Sequence, residues 1–161
     1  MEKREFSVLD AIGNTPLIRI DNVYAKLEGV NPSGSIKDRV AREIIEAAER
    51  NGELKKGYTI IEASSGNTGI SLAMCATVKG YNMVVVMPEN MSEERQHIMK
   101  AFNASLVLTS KSGSLKESIE KAEELAREPK TFLARQFSNP NNIRAQEKTG
   151  QEILKDIGFV D

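Results

Sequence analysis

Lys37 lies in the segment Asn31-Pro32-Ser33-Gly34-Ser35-Ile36-Lys37-Asp38-Arg39, just past a Gly/Ser turn and where a helix should begin. Further along comes Ser64-Ser65-Gly66-Asn67-Thr68-Gly69, a loop of small hydroxyl and amide residues between an apolar strand and another helix. A fixed amine facing a loop that can hold a carboxylate is what imine chemistry on an amino acid requires. The helix that starts near Asn67 would present free N–H groups at the end of the strand, and glycine there allows close backbone approach. Such a helix start suits a carboxylate or phosphate.

Each of these residues also has a plainer reading. A lysine near a helix start is commonly a solvated surface residue, and its positive charge opposes the helix dipole. A Ser/Gly/Thr-rich turn between strand and helix also serves as ordinary capping. Gln136, in Arg135-Gln136-Phe137-Ser138-Asn139-Pro140, reads by position alone as a polar loop residue just past a strand.

A phosphate-loop reading fails on detail. Gly29 and Gly34 have Gly-x-x-x-x-Gly spacing, but Ser35-Ile36 follows in place of Lys-Ser/Thr, so the metal-binding hydroxyl is missing. No Gly-x-Gly-x-x-Gly occurs, so the nicotinamide fingerprint is absent as well. His97 lies on a charged segment with Glu93, Glu94 and Arg95, which reads as solvent-facing. Cys75 falls in an apolar helix and reads as core packing. One His and one Cys are too few for a protein-built zinc site. Met83, Met87, Met91 and Met99 read as core and loop packing.

The elements that must position Lys37 and the loop follow from hydrophobic period. Short β-type runs occur at Leu17–Ile20, Tyr24–Glu28, Thr59–Glu62, Met83–Met87, Leu106–Leu108 and Thr131–Ala134. Val40, Ala41, Ile44, Ile45 and Ala48 form one wide apolar helical face, with Asn51-Gly52 as its stop. Ile70, Leu72, Ala73, Met74 and Ala76 make a nearly all-apolar helix ending at Gly80, so it should be buried. Ser92 can cap a helix bearing Ile98, Met99 and Phe102. Ser114-Leu115-Lys116-Glu117 has capping-box spacing ahead of Ile119, Ala122 and Leu125. A last helix should span about Asn142 to Ile157.

From Thr59 onward, strand and helix alternate. The pattern predicts an α/β fold: an open parallel sheet with helices on both faces and right-handed crossovers. Leu17–Ile20 and Tyr24–Glu28, separated by Asp21-Asn22, read instead as a hairpin outside that alternation. Ligands bind beyond the C-terminal ends of the strands in such sheets, which is where Ser64–Gly69 and Gln136 fall.

Bulk properties set limits. At 161 residues one core, hence a single domain, is expected. A net charge of -1 gives no electrostatic reason to expect nucleic acid or an anionic membrane as partner. No apolar run approaches the ~20 residues that cross a bilayer, and Met1–Glu5 lacks the apolar core of a secretory signal. With Cys75 as the one cysteine there is no internal disulfide, which fits a reducing cytoplasm.

Together the Lys37 segment and the Ser64–Gly69 loop resemble the cysteine synthase branch of the pyridoxal-phosphate β-family (fold type II). That branch includes O-acetylserine sulfhydrylases and cystathionine β-synthases. The resemblance runs from Gly13-Asn14-Thr15-Pro16-Leu17 through Gln136-Phe137-Ser138-Asn139-Pro140. It implies pyridoxal 5′-phosphate as cofactor and Lys37 as its Schiff-base lysine, which would also remove and return the substrate α-proton. It assigns Ser64, Ser65, Gly66, Asn67, Thr68 and Gln136 to the substrate carboxylate, with Asn67 also bonding the cofactor 3′-oxygen. Asp38 and Arg39 follow the lysine in the family pattern and are read as structural ion-pair residues. The family usually has Pro-Thr before Ser-Gly-Asn-Thr-Gly. Here Ala63-Ser64 keeps a hydroxyl but loses the stiffness of proline.

The implied activity is β-replacement on O-acetyl-L-serine with sulfide to give L-cysteine, by a cytoplasmic homodimer. Alternatives are cystathionine β-synthase or serine/threonine dehydratase chemistry. Dehydratases typically carry Asn-His or Asn-Phe after the loop glycine, so Asn67-Thr68-Gly69 favours β-replacement. The resemblance covers the N-terminal half of such enzymes. In the family, the phosphate loop and the partner of the pyridine nitrogen belong to a second domain, whose sheet the 13–28 strands join. The chain is therefore read as part of a longer enzyme, with a split enzyme needing a partner chain and a non-catalytic binding module as alternatives. Gly158-Phe159-Val160-Asp161 reads as the entry to a further strand.

Overall fold

In the computed structural model, which describes residues 6–159, apolar strands alternate with amphipathic helices as the period of the sequence requires. After a short 3-10 helix at Val8–Ala11 come two strands, β1 (Leu17–Ile20) and β2 (Val23–Lys26). Then come α1 (Lys37–Arg50), β3 (Thr59–Ala63), α2 (Asn67–Lys79), β4 (Asn82–Pro88) and α3 (Glu93–Ala101). The chain continues through β5 (Ser105–Thr109), α4 (Leu115–Leu125), β6 (Thr131–Leu133) and α5 (Pro140–Ile157). The Met1–Glu5 segment and the last two residues of the expected strand entry at Gly158–Asp161 lie outside the described residues.

The four later strands form one parallel sheet in the order β5-β4-β3-β6, with Ile60 opposite Met83 and Phe132, and Val86 opposite Val107. Side chains alternate across such a sheet. Ile60, Met83, Val85 and Met87 enter one core with residues of α1 and α2 and with Met99 of α3 and Ala145 of α5. Ile61, Ala63 and Val86 face the other way, onto Ala122, Ile119 and Leu125 of α4. Helices thus cover both faces, unevenly. Ile44, Ile45 and Leu72 are fully buried, each contributing on the order of 1.5–3 kcal/mol of burial free energy.

The helix stops follow the expected chemistry. Gly80 takes the left-handed conformation, with Tyr81 N–H donating to Ala76 O at 2.9 Å and Gly80 N–H to Thr77 O at 3.2 Å. Asn51 caps α1, and Gly52 follows at φ 75°. Two expected starts differ. Asn139, not Asn142, opens α5: its side chain accepts from Asn141 N–H at 3.0 Å. Ser114 occupies the cap position of α4, but its side chain makes no capping bond. Glu117, the other half of the expected box, instead accepts from Ser110 N–H at 3.3 Å.

β1 and β2 form an antiparallel hairpin of their own, closed at Ile20 opposite Val23, with Asp21 at φ 53° in the turn. Ile18, Ile20, Val23 and Tyr24 are exposed on it. β2 ends at Lys26 rather than at Glu28, because the Glu28 carboxylate turns into the protein toward Arg39. Arg39 Nε donates to Glu28 at 2.7 Å, and its Nη1 donates to Glu152 of α5 at 2.6 Å. Lys26 adds bonds to Thr15 O at 2.7 Å and to Glu152 at 2.9 Å. Gly13, at φ 85°, wraps this guanidinium so closely that an added Cβ would sit 3.0 Å from Arg39 Nη1.

Candidate active site

The turn before α1 is built to hold Lys37 at the helix start. Gly34 at φ 87° provides a backbone conformation that L side chains rarely adopt. Ser35 Oγ then accepts the Lys37 backbone N–H at 3.1 Å. Lys37 is half-buried, and none of the described residues pairs with its amine. Arg39 forms the ion pairs expected of it, and its carboxylate partners raise its already high pKa.

Asp38 does not form an ion pair among the described residues. It is fully buried and accepts from Ser33 N–H at 2.7 Å, from the Ser33 hydroxyl, and from the Ser71 hydroxyl of α2 at 2.6 Å. Hydroxyl and amide donors satisfy this carboxylate in place of a cation.

The Ser64–Gly69 loop joins the end of β3 to α2. Ser64 is buried, and its Oγ accepts from Gly66 N–H at 3.3 Å and Gly69 N–H at 3.0 Å. It shapes the loop from inside, with its O–H proton left to donate. Gly69 is closely packed: a Cβ there would lie 2.9 Å from Met99 Cε and 3.2 Å from Val85 Cγ1, so the methionine end would have to shift. The first N–H groups of α2, at Asn67 and Thr68, have no intrahelical acceptors and mark the anion-attracting end of the helix.

Gln136 follows β6 in a turn that Arg135 enters at φ 55°. Its Nε2 donates to Ala63 O at 2.9 Å, its backbone N–H donates to Glu62 Oε2 at 2.9 Å, and its carbonyl accepts from Asn142 Nδ2 at 3.0 Å. These bonds bring the turn against the end of β3.

Lys37, Ser64, Ser65, Gly66, Asn67, Thr68 and Gln136 all line one cavity of about 290 Å³, completed by Ala63, Leu115 and Phe137. Leu115 and Phe137 were not foreseen; both are exposed apolar side chains, Leu115 at the start of α4 and Phe137 in the turn after β6. Glu62 was also missed. It is 3 % exposed, and burial pushes its carboxyl up to about 7 against the pull of N–H donors from Gln136 and Ala63. A carboxylate at a strand end beside the loop was the available signal. His97 is exposed and Cys75 fully buried, as expected, and burial holds the Cys75 thiol up at about 12.

A half-buried amine without a partner among the described residues, hydroxyl donors and a helix N-terminus fit the imine end of a pyridoxal-phosphate site. A parallel α/β sheet with such a site at its strand ends defines a fold type II arrangement. The chain belongs to the pyridoxal-phosphate-dependent enzyme family, which it matches over residues 8–161. It is 52% identical over 160 residues to a cysteine synthase of Flavobacterium sp., covering 94% of this chain and 52% of that protein. Among solved structures it is similar to a hydrogen sulfide-producing enzyme of Fusobacterium nucleatum, at 47% identity and TM-score 0.88, covering 98% of this chain and 54% of that one. It is also similar to a cysteine synthase (OASS) of Entamoeba histolytica, at 39% identity and TM-score 0.90, covering 96% and 50%. The chain spans about half the length of the curated relatives it matches. No helix among the described residues is long and apolar enough to cross a membrane.

Proposed function

We propose that this chain is the lysine-bearing half of a cysteine synthase, replacing the acetoxy group of O-acetyl-L-serine with sulfide to give L-cysteine and acetate. The observation that carries the reading is the Lys37 amine, unpaired among the described residues, in the same cavity as the N-terminus of α2 and Gln136. The one buried cysteine fits a reducing cytoplasm. The exposed apolar residues of the β1–β2 hairpin suit a further sheet, which this reading assigns to a second domain, and homodimer formation belongs to the same reading.

Pyridoxal phosphate, when bound, supplies an aldehyde for the lysine and an electron sink for the substrate α-carbon. The chain's own residues do the rest. Lys37 Nζ would hold the cofactor, and as a free amine it would take the substrate α-proton and return it. The N–H groups at the start of α2, with the Ser65 and Thr68 hydroxyls, receive the substrate carboxylate. Gln136 Nε2 spends one hydrogen on Ala63 O and has a second for that carboxylate. Asn67, exposed beside Lys37, is within the same cavity to bond the cofactor ring oxygen. Leu115 and Phe137 give the cavity an apolar border.

The test is cysteine formation from O-acetyl-L-serine and sulfide by this chain joined to the C-terminal half of the Flavobacterium relative. Turnover that vanishes in Lys37→Ala supports the reading. A joined protein that binds cofactor but forms no cysteine would overturn it.

A further inference from the structure

Glu62 has no part in the chemistry above, yet it is a carboxylate only 3 % exposed at the end of β3, beside the cavity. A buried carboxylate must be held by donors or it is strongly disfavoured. Beyond the N–H of its neighbour Ala63, its donors come from Gln136. Gln136 N–H, 74 residues away in sequence, reaches Glu62 Oε2 at 2.9 Å, while the Gln136 side chain bonds the carbonyl of the adjacent residue, Ala63, at 2.9 Å. The backbone and the side chain of Gln136 are thus clasped by two consecutive residues of β3.

We propose that Glu62 is the positioning residue for Gln136: by accepting its backbone N–H, the carboxylate holds the Gln136 amide where it can bind the substrate carboxylate. The inference rests on the Gln136 role in the proposed function. Two features of the surroundings carry it further. Arg135 enters the turn at φ 55°, a conformation that needs local support. The other ties are Ser138 and Asn139 N–H to Arg135 O, Asn142 Nδ2 of α5 to Gln136 O, and, at the entry to the turn, Ala134 N–H to Ile61 O at 3.0 Å. Among these, the Glu62 bond fixes Gln136 to the sheet through a charged acceptor, which makes it roughly twice as strong as a neutral one.

Glu62 is also free to change charge. Across the sheet its neighbour is the apolar Val85 of β4. The charged groups lining the cavity on its α4 side are Glu123 from α4 and Arg135 from the turn, both exposed, and Lys37 lines the adjoining cavity. Burial places its titration near neutral pH. Protonation weakens the bond to Gln136 N–H, so the clasp tightens as pH rises through about 7.

Two measurements test this. In the 161-residue chain, the ¹H–¹⁵N resonance of the Gln136 amide is followed by NMR from acid to alkaline pH. It should move downfield with a midpoint near 7, and that movement should vanish in Glu62→Gln. In the joined holoenzyme, Glu62→Gln and Glu62→Ala should raise the KM for O-acetyl-L-serine about tenfold with kcat little changed. Binding of L-alanine, followed by cofactor absorbance, should weaken in parallel. Gln136→Ala serves as the control for the underlying reading: if it leaves L-alanine binding unchanged, the Gln136 role itself fails. If Gln136→Ala weakens binding while both Glu62 variants bind normally, or the Gln136 resonance ignores Glu62, Glu62 does not position it.

Discussion

Ser71, in the second turn of α2, donates its hydroxyl to the Asp38 carboxylate at 2.6 Å, joining helices whose N-termini carry the two halves of the candidate site. Asp38 also holds the Ser33 backbone at 2.7 Å. The turn before Lys37 and the helix behind the Ser64–Gly69 loop are thereby fixed to one buried acceptor. Removing it by Asp38→Ala leaves buried donors unsatisfied, at roughly 1–3 kcal/mol each. Urea unfolding should show a loss of about 3 kcal/mol or more. A variant as stable as wild type would mean the carboxylate holds nothing.

The guanidinium of Arg39 is the corresponding fixture for the hairpin, bridging Glu28 and Glu152 with 5 % of its side chain exposed. Arg39→Ala leaves Glu28 without a cation and Glu152 with Lys26 alone, and removing one partner of a buried pair costs about 3–5 kcal/mol. Arg39→Lys should recover only part of this, because one ammonium cannot serve two carboxylates in fork geometry. Equal stability of the lysine variant and wild type, measured by thermal or urea unfolding, would contradict the bridging role.

Stability should peak in mildly acidic solution. Arg39 holds the Glu152 carboxyl down at about 2, so its contribution is present above the ordinary value of 4.5 and is lost as pH falls from 4.5 through 2. Glu62 acts oppositely. Burial raises its carboxyl to about 7, so the folded state holds a proton that the unfolded chain releases near 4.5. Stability therefore falls as pH rises from 4.5 through 7, by on the order of 3 kcal/mol. Glu62→Gln should remove the upper limb of the profile and leave the lower limb intact. An upper limb unchanged in that variant would assign it to another group.

Much of this was legible in the sequence, for identifiable reasons. Period-two runs and the stops at Asn51-Gly52 and Gly80 are local signals, and the strands and helices follow them closely. Lys37 and the Ser64–Gly69 loop are contiguous segments, so the cavity they line was also readable. What was missed depends on contacts distant in sequence. Nothing beside Asp38 announces that Ser71 will supply its donor, so an ion pair was expected in place of hydroxyl bonds. Glu62 looks like any polar residue ending a strand until Gln136 arrives from β6. Ser114 and Glu117 have capping-box spacing, yet Ser110 N–H competes for the Glu117 carboxylate and wins.

Substituting Gln136 or Thr68 with Ala in the joined enzyme should raise the KM for O-acetyl-L-serine. Each lost bond to a charged carboxylate is worth about 1.5–3 kcal/mol, or roughly tenfold to a hundredfold. Cofactor affinity should change little, since neither side chain is assigned to it. Unchanged kinetics in either variant would remove that residue from the site.

In the proposed function, Lys37 carries pyridoxal phosphate. The direct measurement is to incubate the 161-residue chain with excess pyridoxal phosphate, reduce it with borohydride, and map the modified lysine by peptide mass spectrometry. With the phosphate cradle assigned to a second domain, binding should be loose and need high cofactor concentration. The pyridoxyl adduct should nonetheless concentrate on Lys37 over the other lysines, and Lys37→Ala should lose it. An adduct spread evenly over surface lysines, or one that persists at full yield in Lys37→Ala, would contradict the assignment.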